Sequence, residues 1–192
     1  MTHLIEPQIH LWTRQEYYKI AGVGLFEGKR VELIEGEVIE MSPMGSLHAT
    51  CVTLTAKILE RIFGPGYFIR QQMPLNAGEL SEPEPDVAVI AGEVRDYKRD
   101  HPSTAVLVVE VADTSLVYDR TYKTSLYAKV GLAEYWLVNL QDNQLECFRT
   151  PITDETQPYG FGYADIAIFK PTDHIQPLGA SQAKLTVAEL LP

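Results

Sequence analysis

Apolar residues along this chain change their period, and each change marks an element. Thr13-Arg14-Gln15-Glu16 is a capping-box pattern flanked by Trp12 and Tyr17. It predicts a short helix over residues 14–21, stopped by Gly22 and Gly24. From Val31 to Met41 apolar positions alternate on both sides of Glu35-Gly36, the pattern of a β-hairpin with glycine in its turn. Glu32 and Glu40 then sit among hydrophobes, while Glu35 and Glu37 are solvated turn residues. Leu47, Cys51, Leu54, Ile58 and Ile62 recur at helical spacing. They predict a helix over residues 47–63, capped by Ser46 and stopped by Gly64-Pro65-Gly66.

Strands dominate the middle of the chain. Residues 67–75 read as a strand, Asn76-Ala77-Gly78 as its turn, and Glu82-Pro83-Glu84-Pro85 as a stiff lead into a strand over residues 86–90. Residues 91–103 are polar and hold the densest cationic cluster, Arg95, Lys98, Arg99 and His101, either a solvated loop or a phosphate contact. The nearly continuous β-branched run at 104–111 fits a central strand covered on both faces. Asp119 is placed to cap a helix over 120–130, closed by Gly131. Strands at 134–140 and 144–149 come next, then a loop over 151–162. A hairpin from 163–169 and 175–178 and a short element at 185–191 close the chain. The order helix, three strands, helix, strand predicts a mixed α/β sheet flanked by helices.

Composition narrows the class. At 192 residues and 45% hydrophobic content, the chain fits one domain with a real core. That domain divides into an N-terminal helix and hairpin (1–45), a core (46–150) and a C-terminal extension (151–192). The start, Met1-Thr2-His3-Leu4-Ile5-Glu6, lacks a signal pattern, and no apolar run reaches a membrane span, so a soluble cytoplasmic protein is expected. Cys51 and Cys147 read as small core hydrophobes rather than a disulfide. The net charge of −10 argues against a broad basic face that grips nucleic acid. It leaves room for an enzyme that meets phosphate through a metal ion and a few cations.

The candidate chemistry lies in two apolar strands that each carry one acid, Asp86 and Glu110. A carboxylate in such company needs a partner. An intervening turn lets the two meet at one sheet position, where hard oxygens suit Mg²⁺ or Mn²⁺ and the Val111 carbonyl can add a ligand. Lys123 shares a helix face with Tyr127 and Val130, unusual company for a solvated lysine. It is placed to orient a water or to stabilise charge on a phosphate. Taken singly, a snorkelling lysine or a buried structural hydrogen bond explains each residue; the constellation points to a site.

These residues carry a resemblance. Pro85-Asp86 followed by Glu110-Val111-Ala112, in this element order, is similar to the PD-(D/E)XK nuclease superfamily. Within it the chain resembles a bacterial restriction endonuclease family, formerly a domain of unknown function. The match runs through Glu32-Leu33-Ile34-Glu35-Gly36, Met41-Ser42-Pro43 with His48, Pro85-Asp86-Val87, Val109-Glu110-Val111, Tyr118-Asp119 with Lys123 and Tyr127-Ala128, and Gly131 with Glu134-Tyr135-Trp136. The superfamily lysine two residues after the glutamate is absent, since position 112 is alanine. The resemblance implies that Lys123 substitutes by reaching back from the next helix. Asp113 replaces a usual serine and reads as a carboxylate just outside the ion's ligands or, preferably, a cap on the approach to the helix. Glu32 is a further ligand or a holder of Lys123, His48 a phosphate contact, and Gln72 an orienter of water or a ladder-side hydrogen bond.

The leading expectation is therefore a restriction-endonuclease-like αβββαβ fold that hydrolyses DNA phosphodiester bonds with Mg²⁺, or Mn²⁺. Asp86 and Glu110 would hold the ion, Lys123 would serve the water, and a homodimer is expected if both strands are cut. A catalytically weak or inactive nuclease-fold module that binds DNA or protein is the alternative. A plain α/β scaffold with paired buried acids is the third.

Overall fold

The structure is a computed structural model and describes residues 8–192; the stretch read for a signal, Met1 to Glu6, lies outside them. Its centre is a mixed six-stranded sheet in the order β3-β4-β5-β6-β7-β8. The strands are β3 (Tyr67–Arg70), β4 (Val87–Ala91), β5 (Leu107–Ala112), β6 (Glu134–Asn139), β7 (Gln144–Thr153) and β8 (Phe161–Phe169). β5 and β6 run parallel and every other neighbouring pair is antiparallel. The parallel pair needs a crossover, and a helical segment supplies it: α3 (Leu116–Tyr118), a π-helical turn (Asp119–Lys123) and α4 (Thr124–Lys129). With α2 (Ser46–Phe63) in front, the expected αβββαβ order is present.

Side-chain alternation in the central strands divides the core into two layers. Val87, Val89, Val109 and Val111 meet Cys51, Leu59 and Phe63 of α2 on one face, and there Ile175, Leu185 and Leu190 complete the layer. Ala88, Ile90, Val108 and Ala112 meet Leu116, Tyr127 and Ala128 on the other. Glu110 shares the parity of Val108 and Ala112, so it faces the crossover helix. Both cysteines are buried and free.

The hairpin forms as expected, with β1 (Val31–Ile34) paired to β2 (Glu37–Glu40). Its turn uses left-handed backbone at Glu35 (φ 49°) and Gly36 (φ 83°), and a Cβ on Gly36 would come within 2.5 Å of Leu11 Cβ. Glycine is required there by both conformation and space. Thr13 and Glu16 form the capping box of α1 (Arg14–Gly22). Although α1 buries no residue, it is tied down by Arg14 and Tyr18 bonding to the buried Glu82 and by Tyr17 Oη donating to the Val31 carbonyl at 3.0 Å.

Several expectations need correction. Gly45, in extended backbone, is the N-cap of α2, and Ser46 already lies in its first turn. The buried face of α2 is Cys51, Val52, Thr55, Ala56, Ile58, Leu59 and Phe63, and Leu47 is exposed. Glu40 is exposed and pairs with Lys29, whereas Glu35 pairs with Lys129. β3 ends at Arg70 because Gln72 turns the chain with φ 52°. β7 continues through Pro151, which pairs with Tyr163, so the loop over 151–162 shrinks. The final hairpin is dissolved: β8 pairs with β7, and β9 (His174–Ile175) pairs with β10 (Leu185–Thr186). Neither Asp113 nor Asp119 caps the crossover helix. Its N-cap is Ser115, and Asp119 lies inside the π-helical turn.

Candidate active site

The antiparallel register of β4 and β5 matches Val87 with Val109, which sets Asp86 across from Glu110 at the mouth of the pair. The two acids then bind one another's strand. The Asp86 N–H donates to Glu110 Oε2 at 2.9 Å, and the Val111 N–H donates to Asp86 Oδ2 at 2.9 Å. Asp86 Oδ1 takes hydrogen bonds from the Gln72 amide at 3.1 Å and His48 Nε2 at 3.0 Å. Glu110 Oε1 accepts from Tyr127 Oη at 2.7 Å and from Lys123 Nζ at 3.3 Å.

Lys123 reaches this point because the π-helical turn ends on it. A π turn adds a residue to the helical turn and re-aims the residues beyond it, and such turns recur at functional sites. Lys123 and Tyr127, four positions apart, both address Glu110. The closer partner of Lys123 is Glu32 Oε2 at 2.5 Å, on β1 of the hairpin. Glu32 Oε2 also accepts the Glu84 N–H at 3.1 Å. Glu32 is buried, and thus the hairpin and the crossover helix meet through a buried ion pair.

Asp86, Glu110, Val111, Lys123, Glu32, His48, Gln72 and Asp113 all line one cavity of about 460 Å³. Every side chain that the sequence singled out for the site is therefore brought to one place. The roles are less uniform. Glu32 holds Lys123, His48 and Gln72 hold Asp86, and Asp113 is exposed at the cavity edge with its carbonyl accepting from Gln141. Arg95, Lys98 and Arg99 are exposed and do not line this cavity.

Burial dominates the electrostatics. It pushes the Glu110 carboxyl up to about 8 although Lys123 pulls the other way. Burial alone would lower Lys123, but Glu110 and Glu32 outweigh it and hold the ammonium above the ordinary lysine range. Asp119 is raised to about 6, chiefly by burial, with the Ser115 hydroxyl opposing. His48 is raised by its hydrogen bond to Asp86.

Tyr127 and Tyr118 have no role assigned from the sequence, and Asp119 reads there only as a helix cap. Tyr127 lies on the face it shares with Lys123, and its hydroxyl binds Glu110. Tyr118 lines the cavity, and Asp119 anchors the π turn, its carbonyl accepting from Thr124 Oγ1 and Tyr135 Oη. The tyrosine and aspartate of Tyr118-Asp119 were the available signal.

The donor set fits a hard divalent ion. Two buried carboxylates open on one cavity beside a strand carbonyl, and magnesium ordinarily takes one or two carboxylates with water and phosphate. Among the described residues no group of three or more His, Cys, Asp and Glu side chains is arranged to hold a metal. An ion held by Asp86 and Glu110 would have to draw the rest of its shell from water and substrate.

The fold has a counterpart among solved structures. A crystal structure of a "putative nuclease belonging to DUF820" from Anabaena variabilis shares the fold, with TM-score 0.70 over 93% of this chain and 97% of that one at 15% identity. The chain belongs to the Uma2 family, described as "Putative restriction endonuclease", whose model matches residues 14–188. No protein of curated function matches the sequence. Among the described residues no helix is long and apolar enough to cross a membrane.

Proposed function

We propose that this chain is a Mg²⁺-dependent endonuclease that hydrolyses phosphodiester bonds in cytoplasmic DNA, with Mn²⁺ as a substitute ion. The observation that carries the reading is the convergence of Asp86, Glu110 and Lys123, from three separate elements, on one cavity. Asp86 and Glu110 would hold the ion, with the Val111 carbonyl as a further ligand. When bound, the ion would neutralise charge on the phosphodiester and acidify a water.

The protein's own groups then have defined tasks. His48 and Gln72 fix the Asp86 carboxylate by bonding one oxygen, leaving its orientation little freedom. Glu110 would meet the ion as a carboxylate, since ligands bind deprotonated, with Tyr127 and Lys123 donating to its Oε1. An ammonium has three donors; Glu32 and Glu110 take two from Lys123, and the third serves the attacking water or a phosphate oxygen. Glu32 keeps that ammonium charged and in place. Double-strand cleavage would use a homodimer, each site cutting one strand.

Nicking of supercoiled plasmid tests this reading. The wild type is expected to cut with Mg²⁺ or Mn²⁺ and not with chelator, and Asp86→Ala and Lys123→Ala are expected to abolish cutting. Equal background in all three contradicts it. A second reading, a nuclease-fold module that binds DNA or protein without cutting, draws on the net charge of −10 and on Ala112. The same assay separates the two.

A further inference from the structure

Tyr118 is a cavity residue whose chemistry the proposed cleavage leaves unused. The buried tyrosines spend their hydroxyls inside the protein: Tyr127 on Glu110 (2.7 Å), Tyr135 on the Asp119 carbonyl (3.2 Å) and Tyr163 on the Leu132 carbonyl (2.9 Å). The Tyr118 hydroxyl is buried and has no hydrogen-bond partner. Such a group is destabilising and calls for a reason.

The ring is held firmly. It stacks on Tyr122 with centroids 5.2 Å apart and planes 20° from parallel, and Tyr122 in turn meets Tyr159 at 6.0 Å. The stack on Tyr122 sets the plane of the Tyr118 ring. Burial, then the charge of Glu32, raise the phenol further above neutrality, so the group stays an O–H donor. The nearby carboxylates already have donors of their own: Glu32 takes Lys123 and the Glu84 N–H, and Asp119 takes Ser115. Lys123 is a donor only. A ligand that satisfies both Tyr118 and the third proton of Lys123 must bring acceptor oxygens.

We propose that Tyr118 is a substrate-contacting residue whose hydroxyl donates a hydrogen bond to a phosphate oxygen of the strand bound over Asp86 and Glu110. The inference rests on the nuclease reading for the identity of that substrate. It adds a donor fixed in advance on the Lys123 side of the cavity, which stabilises charge without reorganisation.

Tyr118→Phe tests it, because phenylalanine keeps the ring and its stack and removes only the oxygen. The variant is expected to melt at the wild-type temperature or slightly above. Against a fluorescein-labelled DNA duplex it is expected to bind more weakly in Ca²⁺, to cut more slowly in Mg²⁺, or both. The loss expected is about ten- to a hundredfold, the span for a hydrogen bond to a charged group. A contact made equally in both states moves affinity, and one made only in the transition state moves rate. Wild-type affinity and rate in Tyr118→Phe, with Asp86→Ala inactive, overturn this inference and spare the nuclease reading. A melting temperature lowered by several degrees shows the hydroxyl bonded within the protein and also overturns it. A wild type that neither binds nor cuts overturns both.

Discussion

Lys123 Nζ lies 2.5 Å from Glu32 Oε2 and 3.3 Å from Glu110 Oε1, with all three side chains buried. The lysine is thus shared between a hairpin outside the sheet and the sheet's central strand. Its position depends on both.

Removing Glu32 leaves a buried ammonium short of its closest partner. Breaking such a pair costs about 3–5 kcal/mol. Glu32→Ala is expected to lose that much in urea unfolding, and Glu32→Gln, which keeps an acceptor for Lys123 and the Glu84 N–H, clearly less. A loss under about 1 kcal/mol in Glu32→Ala, the range of an exposed ion pair, contradicts the role given to it.

Stability should depend on pH in a way that divalent ions oppose. Glu110 and Asp119 have folded values raised to about 8 and about 6, so the fold holds these protons more tightly than the unfolded chain. Their contribution is full below the ordinary carboxylate range and is lost as pH rises through about 6 and then about 8. Without divalent ions the melting temperature should fall between about pH 5.5 and about pH 8.5. Magnesium, which binds the deprotonated ligands, should raise it more at the higher pH. Calorimetry at both values checks this; a magnesium effect equal at both contradicts it.

Gln72 sits at φ 52°, a conformation that costs a non-glycine residue about 1–2 kcal/mol, and its amide bonds Asp86. Strain of this kind gathers at functional sites. Gln72→Gly should leave stability within about 1 kcal/mol of wild type, relief of strain offsetting the lost hydrogen bond. Cleavage should fall several-fold through a loosened Asp86. A destabilised variant of full activity contradicts the assignment.

Much of this arrangement was legible because it obeys short-range rules. The Glu35-Gly36 turn, the capping box at Thr13 and the extent of α2 are written in neighbouring residues. Asp86 and Glu110 were conspicuous as acids in apolar strands, and Lys123 as a lysine on an apolar helix face. The failures depend on long-range geometry. Nothing local distinguishes an α turn at Asp119 from the π turn that aims Lys123. The buried side of α2 is chosen by what packs there, including C-terminal residues such as Leu190. The pairing of β8 with β7 in place of β9 likewise rests on a ten-residue β7 running through Pro151, which the sequence suggested was loop. The partners of His48 and Gln72 appear only once β3 and α2 converge on Asp86.

Single-turnover cleavage of a labelled DNA duplex at saturating Mn²⁺, comparing wild type, Asp86→Ala and Lys123→Met, tests the central claim most directly. The site predicts that Lys123→Met still binds the ion yet cuts at least about a hundredfold slower, the scale of losing a preorganised charge at the transition state. Asp86→Ala is predicted to lose both ion and cleavage. Wild-type rates in Lys123→Met, or one shared background in all three proteins, would contradict it.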